Sequence, residues 1–246
     1  MKGTDLQSAD LILIDDGGVM NDNNARSYQW KELIADYFIP IYGGSRVKWK
    51  EANQFALDNL LNRYNKIIMK NPIVDFNNYW KRELAQWVTD MFQIVNIAVP
   101  SEKNLFMLAK RAGEWITLRI KAAYPGVVET IKDLYNNGFQ LCTASGEVSW
   151  ELNGYLTGMD IVECFQKLYG PDLINTAKAS IFFYKKILQE MTVNPKKAIL
   201  IDDSLWQVEL ASSMGIGTIH VLKESSCLSN KCNIHITSLK ELINLI

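Results

Sequence analysis

Two short aliphatic runs that stop against paired acids limit what this chain can fold into. Leu11–Ile14 runs into Asp15-Asp16-Gly17-Gly18, and residues 198–201 run into Asp202-Asp203. A continuous apolar run of this length, ended by acids and glycines, reads as a strand buried on both faces that meets a loop at its carboxyl end. After Pro125-Gly126 the pattern alternates. A helix over 127–136 closed by Gly138 precedes a strand over 139–144 and a helix after Gly146. A short strand at 165–169, a helix over 178–191 and the second aliphatic strand follow. Ser204-x-x-Gln207 reads as a capping box for a helix that Gly215 ends, residues 216–221 as a strand, and Ser238-x-x-Glu241 as the cap of a last helix. Strand–helix alternation implies a parallel sheet with right-handed crossovers, whose ligands bind beyond the carboxyl ends of the strands.

The stretch between these two regions has another texture. Residues 23–124 hold five of the seven tryptophans and show helical rather than strand spacing. Candidate helices cover 25–38, 47–62, 76–92 and 101–123, separated by Pro40, Gly43-Gly44, Pro72 and Pro100. The expected architecture is α/β: a Rossmann-like, doubly wound parallel sheet core made of 1–22 and 121–246, with 23–120 inserted as an all-helical cap domain. The tryptophans at 30, 49, 80, 87 and 115 read as the core of that insert, with one or two free to line a cleft. Arg26, Lys31 and Arg46 read as a solvated face.

Composition excludes several classes. Lys and Arg number 26 against 27 acids, a net charge of −1, which gives no reason to expect nucleic acid or an anionic membrane as partner. No apolar run is long enough to span a bilayer, and the first ten residues do not resemble a secretory signal. Cys142, Cys164, Cys227 and Cys232 form no CxxC pair, which argues against a disulfide scaffold or a structural zinc and fits a cytoplasmic setting. The oligomeric state expected is monomer or homodimer.

The predicted strand ends collect carboxylates at 15, 202 and 203 and the Ser145 hydroxyl, with Lys178 a candidate at the opening of its helix. Carboxylates gathered in one place repel one another unless a cation is present, and hard oxygen ligands select Mg2+. Ser145 and Lys178 can donate to phosphate oxygens, and a carboxylate beside the phosphorus can attack it. In these features the chain resembles the haloacid dehalogenase superfamily, in its subgroup with a helical cap. That family's first motif is an apolar strand followed by D-x-D-G-[TV]. Here Asp15, Gly18 and Val19 fill the first, fourth and fifth places, and Asp22 lies seven residues after Asp15. Residues 141–145 match the second motif, a strand ending in Ser or Thr. Lys178 matches the third, with Pro195 17 residues on and Ala179 where a Pro is usual. Asp202-Asp203-Ser204 match the fourth. Thr143 is a competing register for Ser145.

The resemblance implies roles. Asp15 would be the nucleophile and a Mg2+ ligand, with the Gly17 carbonyl, Asp203 and Asp202 completing the metal set. Ser145 and Lys178 would act with Asp15 in catalysis. Ser145, Gly146, Lys178 and Asp16 form the candidate phosphate-binding set. The substrate class implied is a small phosphorylated metabolite. One departure bears on the chemistry: the family's phosphatases carry a general-acid Asp two residues after the nucleophile, and that place is Gly17. Neighbouring side chains on an extended strand end point to opposite sides, so Asp16 is no simple substitute and reads as a turn-former. Asp22 reads as a loop organiser, and neither His220 nor His235 is assigned a role. Gly17 leaves two alternatives open, a hydrolase of a carbon–halogen or carbon–phosphorus bond and a non-catalytic phosphate-ligand binder.

Overall fold

The structure is a computed structural model that describes residues 6–68, 75–101, 103, 105–222 and 230–245. Its centre is a six-stranded sheet of β1 (Leu11–Ile14), β2 (Leu141–Ala144), β3 (Phe165–Tyr169), β4 (Ala198–Asp202), β5 (Gly217–Val221) and β6 (Ile234–Ile236). The order is β3-β2-β1-β4-β5-β6, and every pair is parallel. The chain winds outward from β1 to β3, then returns across the sheet to β4. The switch in direction therefore falls between β1 and β4, where an open parallel sheet leaves a crevice at its carboxyl edge.

Alternate residues of the strands feed opposite faces, as the two-residue period of a strand requires. Ile12, Ile14, Ile199 and Ile201 pack with α5 (Val127–Asn136) and the inserted helices. Leu11, Leu13, Ala198 and Leu200 pack against Phe183, Tyr184 and Ile187 of α7 (Ile181–Met191) and Ala211 of α8 (Leu205–Ser213). Both faces are covered, which is why β1 and residues 198–201 of β4 read as unbroken apolar runs.

Between β1 and α5 the chain forms α1 (Asn23–Tyr42), α2 (Arg46–Ile68), α3 (Phe76–Val95) and α4 (Leu105–Thr117). Phe38, Trp49 and Phe92 form an aromatic core there, Phe38 stacking on Trp49 at 4.7 Å with the Phe92 edge against both. The insert leaves and rejoins the sheet through paired backbone. Asp22 N–H donates to Ala122 and Tyr124 N–H to Met20. It then leans on the sheet layer through α4 and α6 (Ser149–Gly158), where Gly113 faces Trp150 and Gly154 faces Thr117. None of the helices is long and apolar enough to cross a membrane, among the described residues.

Several sequence expectations change. Pro40 does not separate helices but lies within α1, whose end is set by Gly43 at φ 74°. A proline lacks the N–H donor and its ring crowds the carbonyl four residues back, yet α1 runs two residues past it to Tyr42. The fourth helix is shorter than 101–123. Lys178 sits in a turn rather than opening the helix, which Ser180 caps by accepting from Phe182 N–H. The Ser204–Gln207 box does not form, because the Gln207 side chain accepts from Tyr184 Oη at 2.9 Å and Asp202 accepts from Ser204 N–H. β6 was not expected, and the last helix is a 3-10 turn over Leu239–Leu245. Cys142, Cys164 and Cys232 are free thiols. Pro72 and Cys227 lie outside the described residues.

Candidate active site

β1 and β4 lie side by side with Ile14 opposite Ile201, so the residues that follow them, Asp15 and Asp202, emerge together at the switch point. Asp15 N–H is still part of the ladder, donating to Ile201. Carboxylate oxygens of Asp15, Asp202 and Asp203 come within 4.8 Å of one another, a group able to hold a metal ion. Gly18, at φ +81°, makes room for the third of them, since a Cβ there would lie 2.0 Å from Asp203 Oδ2. Only a glycine combines that backbone conformation with that approach.

Lys178 reaches the same spot from the turn before α7. Its Nζ lies 2.9 Å from Asp15 Oδ1 and 2.7 Å from Asp202 Oδ2, with all three side chains nearly excluded from solvent. Burial opposes the ammonium, yet the two carboxylates hold its pKa well above the ordinary lysine value. Burial raises the Asp15 carboxyl to about 7, with Lys178 pulling the other way and Asp202 adding to the rise. Asp202 is raised for the same reason. Such a group gains from any added positive charge.

Ser145 follows β2, its N–H held by the Tyr169 carbonyl and its hydroxyl donating to Glu147 at 2.5 Å. Thr143, the competing register, is spent inside the sheet, donating to the same carbonyl at 3.2 Å. Gly146 is exposed beside Ser145. Asp16 points away from the Asp15–Lys178 cluster, as the alternation of an extended strand end demands. Its carboxylate accepts from Asn21 Nδ2 and from Arg26 Nη1, each at 2.7 Å, and its carbonyl organises the loop by accepting from Met20 and Asn21 N–H. Asp22 caps α1, accepting from Asn24 and Ala25 N–H.

Arg26 overturns the reading of a solvated face. Its guanidinium bridges Asp16 and Glu147, both at 2.7 Å, and is only 14% exposed. It also lies beside position 17, where an added Cβ would come within 2.8 Å of Nη2. Arg46 does face solvent, paired with Asp36 and Glu32. Glu147 is the residue that sequence reasoning missed. Burial works against its carboxylate, but Arg26, the Ser145 hydroxyl and Lys178 together hold it below its ordinary range. The one available signal was its place two residues after Ser145, because its partner Arg26 is 121 residues away.

A cavity of about 410 Å3 opens beside this cluster, between α1–α4 and α6. Arg26, Gly146 and Glu147 form its polar end, while Trp80, Trp87 and Trp150 are among its walls. Trp30 also borders it, its indole N–H donating to Tyr155 Oη at 2.7 Å. Trp115 instead packs on Tyr37 and under Arg119, and Trp49 lies in the insert's core. His220 and His235 stack edge to face one strand beyond, with His220 Nε2 3.1 Å from the Asp203 carbonyl.

Comparison with known proteins agrees with this geometry. Residues 74–221 match the sequence profile described as haloacid dehalogenase-like hydrolase. The chain is 25% identical over 126 residues to a phosphorylated carbohydrates phosphatase from Thermotoga maritima. That similarity spans 50% of this chain and 58% of the relative. Among solved structures, YfnB from Bacillus subtilis, bound to magnesium, superposes with a TM-score of 0.63 at 15% identity, over 96% of this chain and 98% of that one. The L-2-haloacid dehalogenase from Xanthobacter autotrophicus with chloropropionic acid covalently bound gives 0.60 at 13%, again over 96% and 98%. At these identities the likeness is one of fold.

Proposed function

Because the chain belongs to the haloacid dehalogenase-like hydrolases, we propose that it is a Mg2+-dependent phosphatase acting through a phosphoryl group carried on Asp15. The observation that carries this reading is the convergence of Asp15, Asp202, Asp203 and Lys178 at the switch point. The four inserted helices serve as the cap over that edge. An all-oxygen donor set of carboxylates, two of them buried, suits a hard divalent cation. Asp15, Asp202, Asp203 and the Gly17 carbonyl would hold it, and when bound it would neutralise the carboxylates and the phosphoryl oxygens.

The chain's own groups then divide the work. Asp15 attacks the phosphorus, and the bond to the leaving oxygen breaks. Lys178 turns from the carboxylates to the phosphoryl oxygens, and Ser145 and the Gly146 N–H donate to the same group. Water later hydrolyses the phosphoaspartate and restores Asp15. The usual proton donor is missing at Gly17, and Arg26 fills the space beside it. The relative from Thermotoga maritima supports a phosphorylated small molecule as substrate class.

The test is a panel of phosphorylated metabolites and simple phosphate esters, assayed for inorganic phosphate with Mg2+ or with EDTA. At least one compound should turn over only with Mg2+, and Asp15→Asn should lose about 10³-fold or more of that rate. Full turnover by Asp15→Asn would overturn the mechanism. A second reading has one observation in its favour. Of the lysines that a carbon–phosphorus cleavage through a Schiff base would draw on, Lys48 is exposed and Lys50 is paired with Glu32, but Lys31 borders the cavity. Borohydride trapping of a phosphonate-derived adduct on Lys31 would select it, and no adduct would remove it.

A further inference from the structure

We infer that the group carrying the phosphate is a bulky aromatic one, so that the substrate is a phosphate monoester of a phenol-like alcohol whose ring occupies the cavity beside Arg26. The inference rests on the phosphatase reading and deepens it. Three observations lead to it.

The first is the wall. Leu60, Leu61, Tyr64, Trp80, Trp87 and Trp150 give most of the cavity an apolar, largely aromatic lining, drawn from both the inserted helices and α6. Rings of this kind stack on a flat apolar ligand and gain from excluding water.

The second is that several of the polar groups along the wall are already matched to one another, the buried Trp80 indole N–H being an open one. Asn53 Oδ1 accepts from Trp87 Nε1 at 3.2 Å, and Tyr155 Oη accepts from Trp30 Nε1. Arg26 is shared among Asp16, Asn23 and Glu147. A polyhydroxylated sugar entering here would surrender its water hydrogen bonds and find these groups engaged, a loss that an aromatic ring does not suffer.

The third is the leaving oxygen. As the bond from Asp15 to phosphorus forms, the P–O bond breaks and its electron pair stays on the departing oxygen. Gly17 offers that oxygen no proton, and the groups beside position 17 are the Asn23 side-chain oxygen, which donates none, and the Arg26 guanidinium. A cation stabilises an anion but hands over no proton at neutral pH. The arrangement therefore suits an oxygen that bears negative charge readily, as a phenolate does and a sugar alkoxide does not.

Calorimetric titration of the full chain in Mg2+ with stable phosphonates tests the cavity assignment independently of turnover. 1-Naphthylmethylphosphonate should bind about tenfold or more tighter than methylphosphonate. That advantage should shrink severalfold in Leu61→Glu, at a position already 44% exposed and tolerant of charge, and in Trp80→Ala. Methylphosphonate affinity should stay unchanged in both variants, which shows that they are folded. Equal affinity for the two ligands, or an advantage that survives both variants, overturns the inference. Release of phosphate from 1-naphthyl phosphate and from glucose 6-phosphate, by wild type and by Asp15→Asn, reads the underlying reaction separately. Asp15-dependent turnover that favours the sugar phosphate overturns the substrate class and leaves the phosphatase standing. A naphthyl advantage in binding with no Asp15-dependent turnover does the reverse.

Discussion

Arg26 ties three parts of the molecule to one guanidinium: the loop after β1 through Asp16, the loop after β2 through Glu147, and α1 through its own backbone. Burying two carboxylates is tolerable only because this cation sits between them, and removing it would leave both uncompensated. Glu151, which borders the same cavity, forms no ion pair among the described residues and responds differently. Burial, with Glu147 adding to it, raises its carboxyl from 4.5 to about 8, against the pull of Arg26. A carboxyl harder to ionise in the folded state keeps its proton there over a pH range in which the unfolded chain has lost it. Its contribution to stability is therefore full below about 4.5 and is lost as pH rises towards about 8. Glu151→Gln removes that contribution. The urea midpoint of the variant should fall less than that of wild type between pH 5 and pH 8, and equal falls would contradict the assignment.

The decisive elements are β1 and β4, and both were legible in the sequence because burial on two faces leaves only apolar residues in each up to the acids at its carboxyl end. The helices of the α/β region other than the last were also legible, since turn residues bound them. What failed was local chemistry with tertiary competitors. Gln207 looks like half of a capping box but is taken by Tyr184. Pro40 looks like a breaker but lies inside α1, two residues before its end. The strand β6 is only three residues long and only partly buried, so its pattern carries little signal. The glycines of α4 and α6 were equally silent, though their spacing to the opposite helix is tight. A Cβ at Gly154 would lie 1.9 Å from Thr117 Oγ1, and one at Gly113 would lie 2.4 Å from the Trp150 ring. Gly154→Ala should therefore destabilise the chain by about 1–3 kcal/mol in chemical denaturation, despite alanine's better helix propensity. A neutral or stabilising result would show that the two helices are not in close contact.

For the molecule as a whole, the sheet brings Asp15, Asp202, Asp203 and Lys178 to one edge because parallel strands that cross over by helices all end on the same side. That much follows from element order, and strand-end position alone ranks the three acids, whereas Lys178 stood out through its motif match and its spacing to Pro195. The Asp16–Arg26–Glu147 bridge could not be ranked that way, because its members are far apart in sequence and each looks ordinary by itself. Nor could the cavity, which exists only once the inserted helices lean on α6. The account as a whole turns on whether Asp15 becomes phosphorylated. Acid quenching during steady turnover, then borohydride reduction and peptide mass mapping, reads this directly. A phosphoaspartate at position 15 would be reduced to homoserine, and the account predicts that product in wild type with Mg2+ and its absence after EDTA. An unmodified Asp15 in a sample that is releasing phosphate under the same quench would contradict it.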